Sequence, residues 1–126
     1  MTIEQAILNK LLARTQITAL VSTRIYYAIK PQTPTYPCIS FFRVSNIREH
    51  DIDVGKVYFQ FDCWSLTYIQ AVQVANEIRI ALQREKSILD TIPIIQGVYL
   101  NEIDLYEPDT KLHHIALDMN IIYKGI

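Results

Sequence analysis

Two stretches of strict alternation constrain this chain more than anything else in it. Val57, Phe59, Phe61 and Cys63 alternate with Tyr58, Gln60, Asp62 and Trp64. Further on, Ile115, Leu117, Met119, Ile121 and Tyr123 alternate with His114, Ala116, Asp118 and Asn120. Successive side chains of an extended strand point to opposite faces, so each stretch has one apolar side that must be buried. A sheet with one oily face needs another layer to cover it. The second side of the first stretch is too aromatic for a plainly solvated surface, which predicts that a neighbour covers part of it.

The cover lies in the sequence between and before these strands. From about Thr67 to Arg84, Ala71, Val74, Ala75, Ile78, Ala81 and Leu82 form a stripe at helical spacing, with Ser65 or Thr67 as the cap. Its small residues let the helix lie close against a sheet. Thr2 opens a first helix, with Gln5 completing a capping box and Ile3, Ile7, Leu8, Leu11 and Leu12 as the apolar stripe. Ile17, Leu20 and Val21 suit a short second helix or turn. Arg24 to Ala28 reads as a short strand, and Cys38 to about Arg48 as a long one pairing with Val54 to Trp64. About Val98 to Tyr106 pairs with Leu112 to Tyr123 across the turn "EPDT". The expected fold is α+β: an antiparallel sheet of about four main strands, with an N-terminal helix and one long helix packed on one face. A length of 126 residues with no linker or repeat predicts a single domain, residues 1–126.

Two connections stand out. "TRIYYAIKPQTPTYPCISFF" puts Tyr26, Tyr27, Pro31, Pro34, Tyr36 and Pro37 just before the first long strand. The prolines fix φ and hold the chain extended between two packed elements. "NIREHDIDVG", Asn46 to Gly55, reads as a long exposed hairpin tip carrying Arg48, Glu49, His50, Asp51 and Asp53.

The search for chemistry returns little. With three glycines, the chain cannot build a glycine-rich phosphate loop, and it has no nucleophile-elbow or dinucleotide motif. His113 and His114 are adjacent on a strand and point to opposite faces, so they cannot share a metal. His50, Asp51 and Asp53 lack further ligands at fixed spacing and read as a solvated loop. Glu102 and Asp104 fall on one strand face with no basic or nucleophilic partner nearby in sequence, which favours solvent or an intersubunit contact. Trp64 and the eight tyrosines are not interleaved with a basic cluster, and the net charge is −1, so core and interface packing is preferred to a nucleic-acid platform. No apolar run approaches a membrane span, and "MTIEQAILNK" is no signal peptide. Cys38 and Cys63 read as buried thiols in a reducing compartment. The expectation is a protein without enzymatic activity, cofactor or metal.

The order of these patterns resembles the small tail completion, or tail terminator, proteins of long-tailed bacteriophages and prophages. The resemblance begins in "LLARTQITALVSTRIYYAIKPQTPTYPCISFFRVS" and continues in "VYFQFDCWSLTYIQAVQVANEIRIAL", where a strand ends in Asp-x-Trp before a polar cap and a helix. It ends in "DLYEPDTKLHHIALDMNIIY". None of these is a catalytic signature; their order and spacing carry the match. The resemblance implies a structural virion protein: a hexameric ring at the head-proximal end of the tail tube, ending tail growth and joining tail to head. Its implied partners are further copies of itself, the tail tube protein and the head connector protein. DNA passes through the lumen unread, and no membrane is involved. The implied location is the virion tail, and the host cytoplasm during assembly. The proline segment becomes a rigid arm at a subunit contact. Expected interaction residues are Tyr26, Tyr27, Pro34, Tyr36, Arg48, Glu49, His50, Asp51, Asp53, Tyr58 and Trp64. Two alternatives remain: another head–tail connector or head-completion protein, and a small α+β ligand-binding module or enzyme.

Overall fold

A computed structural model describes residues 2–32, 34–49, 51–83, 88–89 and 92–125. Three helices, α1 (Ile3–Ala13), α2 (Thr15–Val21) and α3 (Tyr68–Leu82), pack on one face of a sheet. Its strands are β1 (Ile25–Tyr27), β2 (Cys38–Glu49), β3 (Val54–Ser65), β4 (Ile88–Leu89), β5 (Ile92–Glu107) and β6 (Leu112–Lys124). Their spatial order is β1-β2-β3-β6-β5-β4. All pairings are antiparallel except β1 with β2. The fold is α+β, as the sequence predicts.

The two alternating stretches are the centre of the sheet. β3 and β6 pair from Val54↔Lys124 to Ser65↔His113, which brings their apolar sides together. Val57, Phe59, Phe61, Cys63, Leu117 and Met119 are completely buried. Phe41 of β2 extends this layer, its ring 5.4 Å from that of Phe61 and 5.9 Å from that of Phe59. Ala71, Val74, Ala75, Ile78, Ala81 and Leu82 of α3 all lie in the same core. The α1 capping box is present: Gln5 N donates to Thr2 Oγ1 at 3.2 Å and Thr2 N to Gln5 Oε1 at 2.8 Å. At α3, Thr67 is the cap residue but its side chain makes no cap bond; Ser65 Oγ accepts from Thr67 N at 3.2 Å instead.

Three features differ from the sequence expectation. The long tip between β2 and β3 is largely ladder: Asn46↔Val57, Ile47↔Lys56, Arg48↔Gly55 and Glu49↔Val54 are paired, and turn is confined to 51–53 among the described residues. Polarity suggested a loop there, but an outer strand with solvent on one side tolerates polar residues. Gly55 lets the Tyr123 ring lie where a Cβ would stand. Next, β5 begins at Ile92 rather than near Val98. Pro93 masked this start; it is tolerated because it is the second residue of the strand, ahead of the ladder with β6, which begins at Ile94. Finally, β1 runs parallel to β2, the product of the connection from Ala28 to Pro37 folding back along the sheet.

Gly97 sits where β5 passes the C-terminal turn of α3, and a Cβ there would fall inside the Leu82 carbonyl oxygen. Gly97→Ala must push the helix end from the strand. It is expected to lower stability by about 1–3 kcal/mol in chemical denaturation, the usual cost of overpacking.

Candidate functional site

The described residues form no enclosed catalytic site. A depression of about 340 Å³ between α2 and α3 contains one carboxylate, Glu77, and that is already bonded by Arg14 Nη2 at 3.0 Å. No group of three or more His, Cys, Asp or Glu side chains able to hold a metal occurs among the described residues. Cys38 and Cys63 are buried free thiols, with Cys38 pushed up to about 11 by burial, so neither is a poised nucleophile. What the fold offers instead is surface: an uncovered sheet face, a hairpin tip and two outer strands.

The proline segment and Trp64 meet on the uncovered face. Arg24 fixes the segment's far end, its Nε donating to Pro37 O at 3.0 Å while Arg24 O accepts from Ile39 N at 3.0 Å. Lys30 is laid over the Trp64 ring at 4.8 Å. Trp64 also stacks on His114, with ring centroids 3.9 Å apart, and its Nε1 donates to Ser40 Oγ at 3.2 Å. His114 Nε2 lies 2.8 Å from Asp62 Oδ1, which also accepts from Gln60 Nε2 at 2.8 Å. A lysine, an indole, an imidazole and a carboxylate thus close one end of the face, and Trp64 is half-buried by its own chain. Tyr58 is half-buried further along. The Asp118 carboxylate, hydrogen-bonded to it, and burial push its phenol up. Asp118 itself is 8% exposed, and its Oδ1 has no hydrogen-bond partner among the described residues.

The expected interaction residues divide by location. Tyr26 and Trp64 belong to the proline-segment end of the open face; Tyr27 lies on the helix side, its ring 5.5 Å from that of Phe41. Pro34 and Tyr36 are half-buried in the segment itself. At the tip, Arg48 is a latch. Its Nη2 donates to Asp53 Oδ1 at 3.0 Å and to Gly125 O at 2.9 Å, and Gly125 N donates to Asp53 O at 3.0 Å. Arg48 and Asp53 therefore tie the turn to the end of β6, a role that sequence distance concealed. Glu49 and Asp51 are exposed, and so is Ile52, at 62%. His50 lies outside the described residues.

Glu102 and Asp104, expected in solvent or at an intersubunit contact, lie on β5. They share the helix-facing side there, as the alternation requires. Tyr68 Oη donates to Asp104 Oδ2 at 2.8 Å. Burial raises the Glu102 carboxyl, Arg79 of α3 opposes the shift, and Asp104 adds to it. The signal available in sequence was the run from Val98 to Glu107, which has three acids, no base and several large apolar residues.

Two measurements check this account. A carboxyl raised by folding opposes folding once ionised; that cost is absent below the ordinary value of 4.5 and complete above the folded value. Glu102→Gln is therefore expected to be more stable than the parent at pH 7. Thermal melts should show the difference closing as pH falls through the ordinary glutamate range. Removing the latch with Arg48→Ala should speed amide exchange at Gly125, whose N–H bonds Asp53 O, with a change in global stability of at most about 1 kcal/mol. Unchanged exchange at Gly125 would show that the turn holds without Arg48.

Comparison with known proteins gives two positive findings. Residues 5–124 match the family described as tail completion protein gp17. A chain in the structure titled "Virion of native gene transfer agent (GTA) particle" superposes with a TM-score of 0.80 at 16% identity, covering 98% of this chain and 95% of that one. At that identity the likeness shows a shared fold. No curated protein matches the sequence significantly.

Proposed function

The chain belongs to the tail completion protein gp17 family, and from that membership we propose that it is a structural protein of a phage-like tail that forms a six-membered ring at the head-proximal end of the tail tube. The ring ends addition of tube protein and presents a new surface to the head connector. The observation carrying this reading is the family match over residues 5–124. The fold shared with a chain of a gene transfer agent virion supports it, as does a surface whose prominent features are edges and faces rather than a pocket. The work is mechanical, without catalysis or cofactor. Partners are further copies of the chain, the tube protein and the connector protein, and DNA crosses the lumen without being read. Assembly takes place in the host cytoplasm, and no helix among the described residues is long and apolar enough to cross a membrane.

The turn at 51–53 is proposed to contact the tube or the connector. Ile52 is an exposed apolar residue at its apex, with Asp51 beside it, and the Arg48 latch presents both in a fixed position. The proline segment, held at both ends and stacked through Lys30, is proposed as a rigid contact element that loses little entropy on docking. Tyr26, Tyr27, Pro34 and Tyr36 belong to it.

Electron microscopy of finished tails is the direct test, with a terminal six-fold ring containing this chain as the expected image. A terminal ring of another symmetry, or tails lacking the chain, would refute the reading. Shortening only 50–53 to Asn-Gly leaves every ladder pair of β2 and β3 in place. It should preserve the melting transition while producing tails that fail to join heads or exceed normal length. Wild-type yield of infectious particles would remove the turn from the contact.

A further inference from the structure

The two outer strands of this sheet are incompletely covered. β1 pairs with β2 only at Ile39, Ser40 and Phe41, with Ala28 N also reaching Phe41 O at 2.7 Å. β4 pairs with β5 only at Ile92 and Pro93. Beyond these, Phe42–Ile47 of β2 and Val98–Glu107 of β5 have no strand on their outer side among the described residues. Proteins that live alone blunt such edges with lysine, proline, a bulge or an inward charge. Neither free run contains lysine or proline; a bulge and helix-side charges are what guard them, and those charges are of opposite sign on the two runs. Each carries a bulge whose extra residue is aliphatic and exposed, Val44 (53%) in β2 and Leu100 (40%) in β5. Ile47 beside the first and Ile103 and Leu105 beside the second are exposed too.

We propose that copies of this chain join edge to edge, the free run of β5 in one copy pairing antiparallel with the free run of β2 in the next, so that one sheet continues from subunit to subunit. This deepens the ring reading above and rests on it, adding which strands meet and in what direction. Strand direction supports it. β2, β3, β6 and β5 alternate in direction, so β5 runs opposite to β2 and meets the next copy's β2 antiparallel. Charge supports it as well. The β5 run holds Glu102, Asp104 and Glu107 with no base, whereas the β2 run holds Arg43 with no acid. Arg43 is opposite Phe59, and Glu102 and Asp104 are opposite Leu117 and Ile115. All three thus lie on the helix side of the sheet, where a continuous sheet would bring them together. Arg43 is 52% exposed and reaches Glu4 of its own chain only at 3.9 Å, so it is available. A two-fold dimer through β5 would instead set acids against acids, which is unfavourable across strands. Two different edges meeting head to tail is the arrangement that closes into rings.

The test uses particles assembled with the full chain carrying Arg43→Lys, treated with a zero-length carbodiimide that joins an amine to a carboxylate. The expected product is a ladder of covalent multimers in which mass spectrometry finds Lys at position 43 linked to Glu102 or Asp104. Within one chain the two edges are three strand spacings apart, about 14 Å, so this link must come from two copies. In parallel, Arg43→Glu and Asp104→Arg should each cut the yield of joined particles about tenfold or more, and the double variant should restore it to within about threefold. Melting curves of the purified variants separate assembly loss from misfolding. A terminal ring without the 43–102 or 43–104 link, or a double variant no better than the singles, overturns the edge pairing while leaving the ring intact. Tails with no ring of this chain overturn both.

Discussion

Everything in this molecule hangs on the pairing of β3 with β6. These two central strands run the full depth of the sheet, and each has one apolar side, so their register decides which face needs a cover. A one-residue slip would keep one strand's set inward and turn the other's outward, exposing either Phe59 and Phe61 or Leu117 and Met119. Each of those side chains is worth about 1.5–3 kcal/mol when buried, so the alternation alone selects the register. The helices follow from it. α3 is small-sided because it lies directly on this layer; α1 packs beside it and reaches β1 and β4, and α2 packs against α1 and α3. The opposite face gets no helix and is left half-polar, with Tyr58, Gln60, Asp118 and Asn120 along it.

The parts that were legible in the sequence are those whose signal is local. The six buried positions of α3 and the alternate positions of β3 and β6 are repeats within one element, and the Thr2–Gln5 cap spans three residues. What was not legible depends on partners far along the chain. Asn46 to Gly55 looks like loop because its polarity is averaged over both faces of a strand whose outer side meets solvent. The early start of β5 was hidden by Pro93, a residue that forbids only one ladder bond. The parallel pairing of β1 leaves no pattern in three residues at all.

The candidate surfaces show the same division. Trp64 was expected at a contact, and what it touches comes from three other segments: Lys30, Ser40 and His114. Arg48 looked like an outward charge on a tip; Gly125, 77 residues away, turns it inward. Glu102 and Asp104 were noticed as a pair. Their meaning depends on Arg79, on Tyr68 and on the absence of a covering strand beside β5 among the described residues, none of which adjacent sequence reveals.

The lack of a chemical signature follows from the kind of work this chain is proposed to do. An enzyme spends burial and strain on a pocket, so titratable groups converge and their pKa values move. Here the buried thiols, pushed further from ionising, are inert, and the Asp62–His114 contact holds an aromatic stack. Unspent capacity for bonding lies at the edges instead, as backbone groups and aliphatic bulges on β2 and β5. Edges of that kind are a hazard to a monomer, because any extended chain can add to them. They are tolerable where a matched edge satisfies them. The opposite charge on the two runs, Arg43 against Glu102 and Asp104, selects such a match over self-pairing of β5. In the proposed ring each edge contact is modest, and holding neighbours on the end of a tube would raise their effective concentration enough to close the set.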